Sequence, residues 1–298
     1  MVSIMSAKGV IIRPPVEAHS VLIGITEGCT WNKCRFCSVY KGVQDYRVRS
    51  KEEIFNDIEL WAQNYGWNGK IFLAGGNALS APTDLLIEVI DRIKQRFPVE
   101  HISCYAKNHD LLKKTPDELK QLREAGLETL YIGLESGSKL VLKLMKKGAT
   151  PRMMIKAAKK AMASGFRLSV YIILGLGGKE HSKIHANETA AVLNEMNPTI
   201  IRFRTLNLFP GAPLYDEWKS KSGKFQRLTP YETITEQYNI LRQIESYVTS
   251  EVFNDHISNY ENFEGKLPED LPGMLKLLDQ RLKDPMTKKL QPKWLNHM

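Results

Sequence analysis

The sequence predicts an α/β protein built on a parallel sheet, and three observations carry that prediction. Six short β-rich runs alternate with longer runs whose apolar residues recur at helical spacing, the order expected of strands joined by helical crossovers. The strand runs are apolar at consecutive positions, which suits a sheet enclosed on both faces. With 298 residues, 43% of them hydrophobic, the chain can bury one large core or two modest ones, and no Gly/Ser-rich or low-complexity linker divides it.

Taken in order, the predicted strands are "SVLIGIT" (Ser20 to Thr26), "KIFLA" (Lys70 to Ala74), "HISCYA" (His101 to Ala106), "TLYIGL" (Thr129 to Leu134), "RLSVYIIL" (Arg167 to Leu174) and "TIIRFRTL" (Thr199 to Leu206). Between them "SKEEIFNDIELWAQNY", "TDLLIEVIDRIKQRF", "TPDELKQLREAG", "PRMMIKAAKKAMASG" and "HANETAAVLNEM" read as helices, several opening with Ser or Thr followed by an acid. Six repeats at most leave a barrel of fewer than eight strands partly open. After "FPGAPLY" the rhythm ends. The remainder reads as two helices, near Tyr231 to Tyr247 and Pro268 to Leu282, joined by irregular chain. We therefore expect a core over 1–215, with a lead-in over 1–19, and a mostly helical C-terminal extension over 216–298 packed on or across the barrel mouth.

Composition excludes several classes. Four cysteines, three of them in one loop, give no disulfide framework, no apolar run has membrane-spanning length, and "MVSIMSAKGVIIRPP" lacks the pattern of a secretory signal. The chain reads as a cytoplasmic enzyme. The net charge is +9, but Arg281, Lys283, Lys288, Lys289 and Lys293 against Asp284 put four of those charges in the tail. The rest is diffuse, more a solubility feature than a nucleic-acid footprint.

The most informative stretch is "GCTWNKCRFCSVY", which places Cys29, Cys34 and Cys37 within nine positions. A structural zinc site wants four Cys or His ligands, and no fourth lies at a suitable spacing. Three thiolates suit a four-iron cluster that leaves one iron open to a substrate or cofactor. The plain alternative is three reduced thiols in a loop.

With these cysteines following the first strand, the sequence resembles the radical S-adenosylmethionine (SAM) enzymes, whose partial (β/α)6 TIM-like barrel binds a [4Fe-4S] cluster through three cysteines. The usual spacing is C-x3-C-x2-C and here it is C-x4-C-x2-C, but the aromatic residue before the third cysteine is present as Phe36. Gly75-Gly76-Asn77 looks like the family's GGE-type turn facing the SAM amino group, with Asn77 in place of Glu; it equally suits an ordinary strand-to-helix turn. Glu135 and Ser136 lie where the family sets polar groups for the ribose and methionine of SAM, although either also suits a helix cap. Gly175, Gly177 and Gly178 resemble the turn bordering the adenine, and "NLFPGAPLY" resembles the P-G-T-P-L segment of the branch holding coproporphyrinogen oxidases, methylthiotransferases and the elongator catalytic subunit.

The resemblance runs from about Ser20 to Tyr215. It implies that Cys29, Cys34 and Cys37 hold the cluster, that SAM occupies the open iron, and that a 5′-deoxyadenosyl radical abstracts hydrogen from a substrate. The implied partners are a small-molecule or peptide substrate and a reductant such as flavodoxin or ferredoxin. An RNA-modifying enzyme is the second reading, marked by a salt-sensitive RNA complex. A non-catalytic haem or Fe-S trafficking relative is the third, marked by haem binding without SAM turnover.

No catalytic side chain is assigned. His256, Ser258, Asn259 and Tyr260 in "FNDHISNYENF" look site-like, as does an irregular surface loop of the same composition. Arg13 and the alternating pair Arg202 and Arg204 are candidates to face an anionic substrate. His19, His101, His109, His181 and His185 read as surface or satisfied residues, and Cys104 as a small core residue.

Overall fold

A computed structural model describes residues 13–41, 45–64, 69–221 and 223–290; the lead-in before Arg13 and Lys293 of the basic tail lie outside them. The elements, in chain order, are β1 (Val21–Gly24), β2 (Thr26–Glu27), β3 (Arg47–Val48), α1 (Lys51–Asn64), β4 (Lys70–Ala74), α2 (Thr83–Arg96), β5 (His101–Tyr105), α3 (Asn108–Lys113), α4 (Pro116–Ala125) and β6 (Leu127–Glu135). There follow α5 (Lys139–Leu144), α6 (Pro151–Ala163), β7 (Arg167–Leu174), α7 (Gly178–Met196), β8 (Ile200–Thr205), α8 (Pro213–Ser220), α9 (Pro230–Leu241), β9 (Glu251–Phe253), β10 (Glu264–Lys266) and α10 (Leu271–Lys283). All six predicted strands are present, as β1, β4, β5, β6, β7 and β8.

The chain folds as two compact units, Met1–Asn32 with Val39–Ile132 and Lys156–Leu168, and Lys33–Ser38 with Gly133–Ile155 and Ser169–Met298. In the first, β1, β4, β5 and β6 pair in parallel, in register Val21↔Ile71, Ile71↔Ile102 and Cys104↔Leu130. Ile23, Ile71, Leu73, Ile102 and Leu130 are fully buried. Helix α2 presents Leu86, Val89, Ile90 and Ile93 at the helical period, and a Thr115–Glu118 capping box starts α4. Just after β1, the buried ion pair Arg49–Asp57 (2.6 Å) also binds the Gly24 carbonyl at 2.8 Å, tying this strand end to α1. At the opposite end, Glu17 is 2% exposed in the lead-in and accepts hydrogen bonds from Ser103 Oγ (2.7 Å), Tyr131 OH (2.6 Å) and Ser20 Oγ.

In the second unit β7, β8 and β9 are parallel, and β10 returns antiparallel along β9. Val170, Ile172, Ile201, Phe203 and Val252 form a buried face. The predicted C-terminal helices are α9 and α10, but the chain between them is not wholly irregular: β9 and β10 bracket it. Strands of three residues carry no readable alternation, so the sequence hides them. Among the described residues no helix is long and apolar enough to cross a membrane.

Candidate functional site

Each unit sets polar side chains at the C-terminal ends of its parallel strands, the end where open α/β sheets hold their ligands. In the first unit the chain leaves β1 and β2 into the cysteine loop. Cys29 is partly exposed, and none of the cysteines is in a disulfide. Burial alone would raise the Cys29 thiol. The Lys107 ammonium 2.9 Å from its sulfur, together with the Asn32 and Trp31 backbone N–H groups, outweighs that and holds it below the ordinary thiol value.

Within the first cysteine gap Asn32 adopts a left-handed conformation (φ 45°) and donates its amide to the Tyr40 carbonyl at 2.9 Å. Lys107 and Asn77 both donate to Thr30 Oγ1, at 3.0 and 3.1 Å. Asn77, fully buried, also donates to Asp110 Oδ2 at 2.5 Å, while its own Oδ1 finds no hydrogen-bond partner among the described residues. Burial pushes the Asp110 carboxyl above its ordinary value, and the Asn77 and Lys107 contacts offset only part of that. The structure thus brings together Cys29, Asn77 and the Gly75-Gly76 turn, with Lys107 and Asp110 beside them.

The Gly-Gly turn has a use the sequence does not reveal. A Cβ on Gly76 would lie 2.2 Å from the Gly28 carbonyl oxygen, and one on Gly75 would lie 2.3 Å from the Thr26 carbonyl. These glycines are bare because the backbone of β2 rests on Gly75 and the start of the cysteine loop rests on Gly76.

In the second unit the segment carrying Cys34 and Cys37 is pinned on both sides. The Arg35 N–H donates to Met145 O at 3.0 Å, Leu214 N–H donates to Arg35 O at 2.9 Å, and the Arg35 guanidinium pairs with Glu217. Phe36 packs against the apolar cluster of Val141, Met145, Leu176, Leu206, Leu208 and Leu214. The "FPGAPLY" segment therefore holds the cysteine loop, and Phe36 is its apolar anchor.

Glu135 ends β6 in a left-handed conformation (φ 61°) and pairs with Lys147 at 2.7 Å. Ser136, fully buried, bonds His185 Nδ1 at 2.8 Å and accepts from Ser138 N–H. The Gly175 N–H donates to Glu236 Oε1 at 2.6 Å, Glu236 also takes Ser182 Oγ, and His185 Nε2 lies 3.5 Å from Glu236. Ser136 is thus tied to His185 and the Gly175 N–H to Glu236, the two pairs meeting where His185 Nε2 approaches Glu236 without a hydrogen bond among the described residues. Burial lowers the His185 imidazole to about 4 and raises the Glu236 carboxyl to about 7. Gly177 caps α7, and Gly178 packs against Phe225 and Gln226.

The loop after β9 is built rather than loose. Asn259 is buried and donates to Phe203 O and Asn254 Oδ1, Ser258 Oγ accepts from Thr205 N–H, and His256 bonds Ser258. Ser258 and Asn259 are therefore spent on holding the chain. Tyr260 is partly buried, which raises its phenol. Arg13 is partly exposed in the lead-in. His101 pairs with Glu128, His109 stacks on Trp31, and Cys104 is a core residue whose thiol burial pushes up. Lys107, Asp110, Lys147, His185 and Glu236 are the residues sequence reading did not assign. Position just past a strand end signals the first two; nothing local signals Glu236, which arrives from α9.

The Radical SAM superfamily model matches residues 23–186, more than half of the chain. An uncharacterized methyltransferase of Pyrococcus horikoshii is 25% identical over 204 residues, covering 67% of this chain and 43% of the relative, so the chain spans less than half of that protein's length. Coproporphyrinogen III oxidase (HemN) of Escherichia coli, a radical SAM enzyme, superposes with a TM-score of 0.55 at 17% identity, covering 75% of this chain and 50% of that one. The radical SAM methyltransferase TsrM of Kitasatospora setae, solved with cobalamin and a [4Fe-4S] cluster bound, gives 0.50 at 18% identity, covering 70% and 41%. At these identities the structural likeness is one of fold.

Proposed function

This chain belongs to the radical SAM superfamily, and from that premise we propose that Cys29, Cys34 and Cys37 hold its cluster while it abstracts hydrogen from a small-molecule or peptide substrate. It is an enzyme of that superfamily, with a [4Fe-4S] cluster and SAM as cofactors. When bound, the two supply one-electron cleavage of a carbon–sulfur bond of SAM and a carbon-centred radical.

The observation that carries the reading is the donor set: three partly exposed thiols in one loop, none in a disulfide, with Cys29 biased toward thiolate by Lys107. Among the described residues no group of three Cys, His, Asp or Glu side chains is already gathered to hold a metal. The soft donors and the lowered thiol nonetheless suit iron–sulfur ligation. Asn77, with a buried oxygen still lacking a donor, suits an amino group of SAM. Glu135 suits the ribose hydroxyls, with Lys147 fixing its carboxylate. Ser136, Gly175 and Gly177 border the same cofactor, and Phe36 steadies the loop. We assign residues 1–215 as the catalytic core and 216–298 as an extension, with a reductant of the flavodoxin or ferredoxin type in the cytoplasm.

Anaerobic reconstitution tests this. Wild-type protein should take up a [4Fe-4S] complement, Cys29→Ala, Cys34→Ala and Cys37→Ala together should abolish it, and dithionite with SAM should yield 5′-deoxyadenosine and methionine. Iron retained by the triple variant, or 5′-methylthioadenosine as the cluster-dependent product, overturns the assignment.

A further inference from the structure

Strand β8 carries two arginines on one face. Its alternation turns Ile201 and Phe203 into the buried face, where they are at most 1% exposed, and sets Arg202 and Arg204 on the other. Register places Tyr171 of β7 and Phe253 of β9 on either side of Arg202. The Arg202 guanidinium lies 4.2 Å over the Phe253 ring, and that of Arg204 lies 4.4 Å over the Tyr171 ring.

The charge around these two groups does not balance. Arg202 is 7% exposed and its Nε has no hydrogen-bond partner among the described residues. Its acidic partner is Asp255, 3.4 Å away, with a side chain 46% exposed. Among the described residues Arg204 touches only uncharged groups, the Tyr171 ring and His256 Nε2 at 3.3 Å. Burial and Arg204 itself push His256 down to about 4, so the imidazole adds no charge at neutral pH. Two guanidiniums thus share one stretched contact to one carboxylate. Enclosed charges are ordinarily compensated, and a planar guanidinium is shaped for bidentate contact with an oxyanion.

The place also favours a ligand. Arg204 precedes the C-terminal end of β8, and Ser258 and Asn259 bind Thr205 and Phe203 O, so the loop after β9 brings Asp255 and His256 to that same end. Phe203 and Ile201 leave no slack on the other face, which fixes the direction of both arginines. Stacking on two aromatic rings restricts them further, so little ordering cost is left for binding.

We propose that Arg204, supported by Arg202, receives an oxyanion group of the substrate, a carboxylate or a phosphate. The inference rests on the radical SAM reading for the word substrate; the oxyanion site itself rests on β8, β9 and their loop. Asp255 then acts as a competing internal anion on Arg202, and His256 stands beside Arg204 as a neutral hydrogen-bonding group.

Calorimetric titration of the cluster-loaded protein with inorganic phosphate and with glutarate, against glutaramide as the uncharged control, tests the site. Both anions should bind and glutaramide should not. Arg204→Met should weaken anion binding by about tenfold, with Arg204→Lys recovering part, because one charge-assisted pair is lost. Asp255→Asn should tighten phosphate by about threefold, since a competing negative charge is gone. SAM affinity should stay within about twofold in every variant. Anions that bind no better than glutaramide, or equally well to Arg204→Met, overturn the proposal. So does a parallel loss of SAM, which would give Arg204 to the carboxylate of SAM instead. Should Arg204→Met not fold, an unchanged phosphate affinity in Asp255→Asn is the overturning result. Absence of SAM cleavage in protein that still binds phosphate would refute the radical SAM reading alone.

Discussion

Gly76, after β4, and Gly175, after β7, stand in turns that look interchangeable in the sequence, yet each is glycine for a different reason. Gly76 lacks a positive φ; its requirement is space, because a Cβ would lie 2.2 Å from the Gly28 carbonyl oxygen. Gly175 has the opposite character. Its φ is 81°, while the nearest atom a Cβ would meet is 3.7 Å away, on Leu228. The polar groups differ too. Beside Gly76, Asn77 keeps a buried oxygen without a donor, whereas the Gly175 N–H is already given to Glu236. One turn has hydrogen-bonding capacity left for a ligand. The other is held in place from behind, and a Gly-rich motif alone does not tell these apart.

The largest effect expected from this contrast is at Gly76. Gly76→Ala should cost about 3 kcal/mol, since backbone rather than a flexible side chain must move, and should disturb the cysteine loop with it. Denaturant unfolding and SAM titration should therefore fall together; a stable Gly76→Ala protein would show that the loop is not resting on the turn.

The second effect is at the support behind Gly175. Glu236→Gln or His185→Phe should cost about 2 kcal/mol by unbalancing the buried hydrogen bonds to Gly175, Ser182 and Ser136. Their pH dependences should differ in sign. Glu236, raised to about 7, keeps in the folded chain a proton that its ordinary value of 4.5 would release, so its contribution fades as pH rises from about 4.5 to about 7. His185, lowered from 6.5 to about 4, stays neutral where an unfolded imidazole is charged, so stability is regained as pH rises from about 4 to about 6.5. In the native chain the two slopes oppose each other. Removing Glu236 should make stability rise across that window relative to wild type, and removing His185 should make it fall. Parallel profiles would mean that the pair does not titrate.

The smallest effect is Gly175→Ala. There is room for the methyl group, so only the left-handed backbone is strained, at about 1 kcal/mol. A cost as large as that at Gly76, measured by the same unfolding, would erase the distinction.

Much of this was legible in the chain because it is local. The six core strands are marked by apolar runs, the cysteine loop by spacing, and the turns by glycine. What stayed hidden is long-range. Glu236 reaches Gly175 across 61 positions, and Lys107 reaches Cys29 across 78, pairings that no period records. His185 shows the same limit: spacing relative to His181 puts both on a similar side of α7, but only packing decides that His185 is fully buried against Ser136. In "FNDHISNYENF" composition pointed to exposed polar chemistry, while Ser258 and Asn259 serve as internal ties.

The buried carboxylate of Glu17 has a consequence for recombination among relatives. Its acceptor oxygens serve Ser20, Ser103 and Tyr131, drawn from the lead-in and two strands that are far apart in sequence. A chimera that exchanges the lead-in without the matching β5 and β6 would strand either a carboxylate or two hydroxyls in a dry interior. These residues form one inheritance block, at the end of the first unit's sheet opposite its strand-end loops. Exchanging one of those loops alone, with both crossovers inside it, leaves the block whole, so shuffling there can vary the chemistry without dissolving the foundation beneath it.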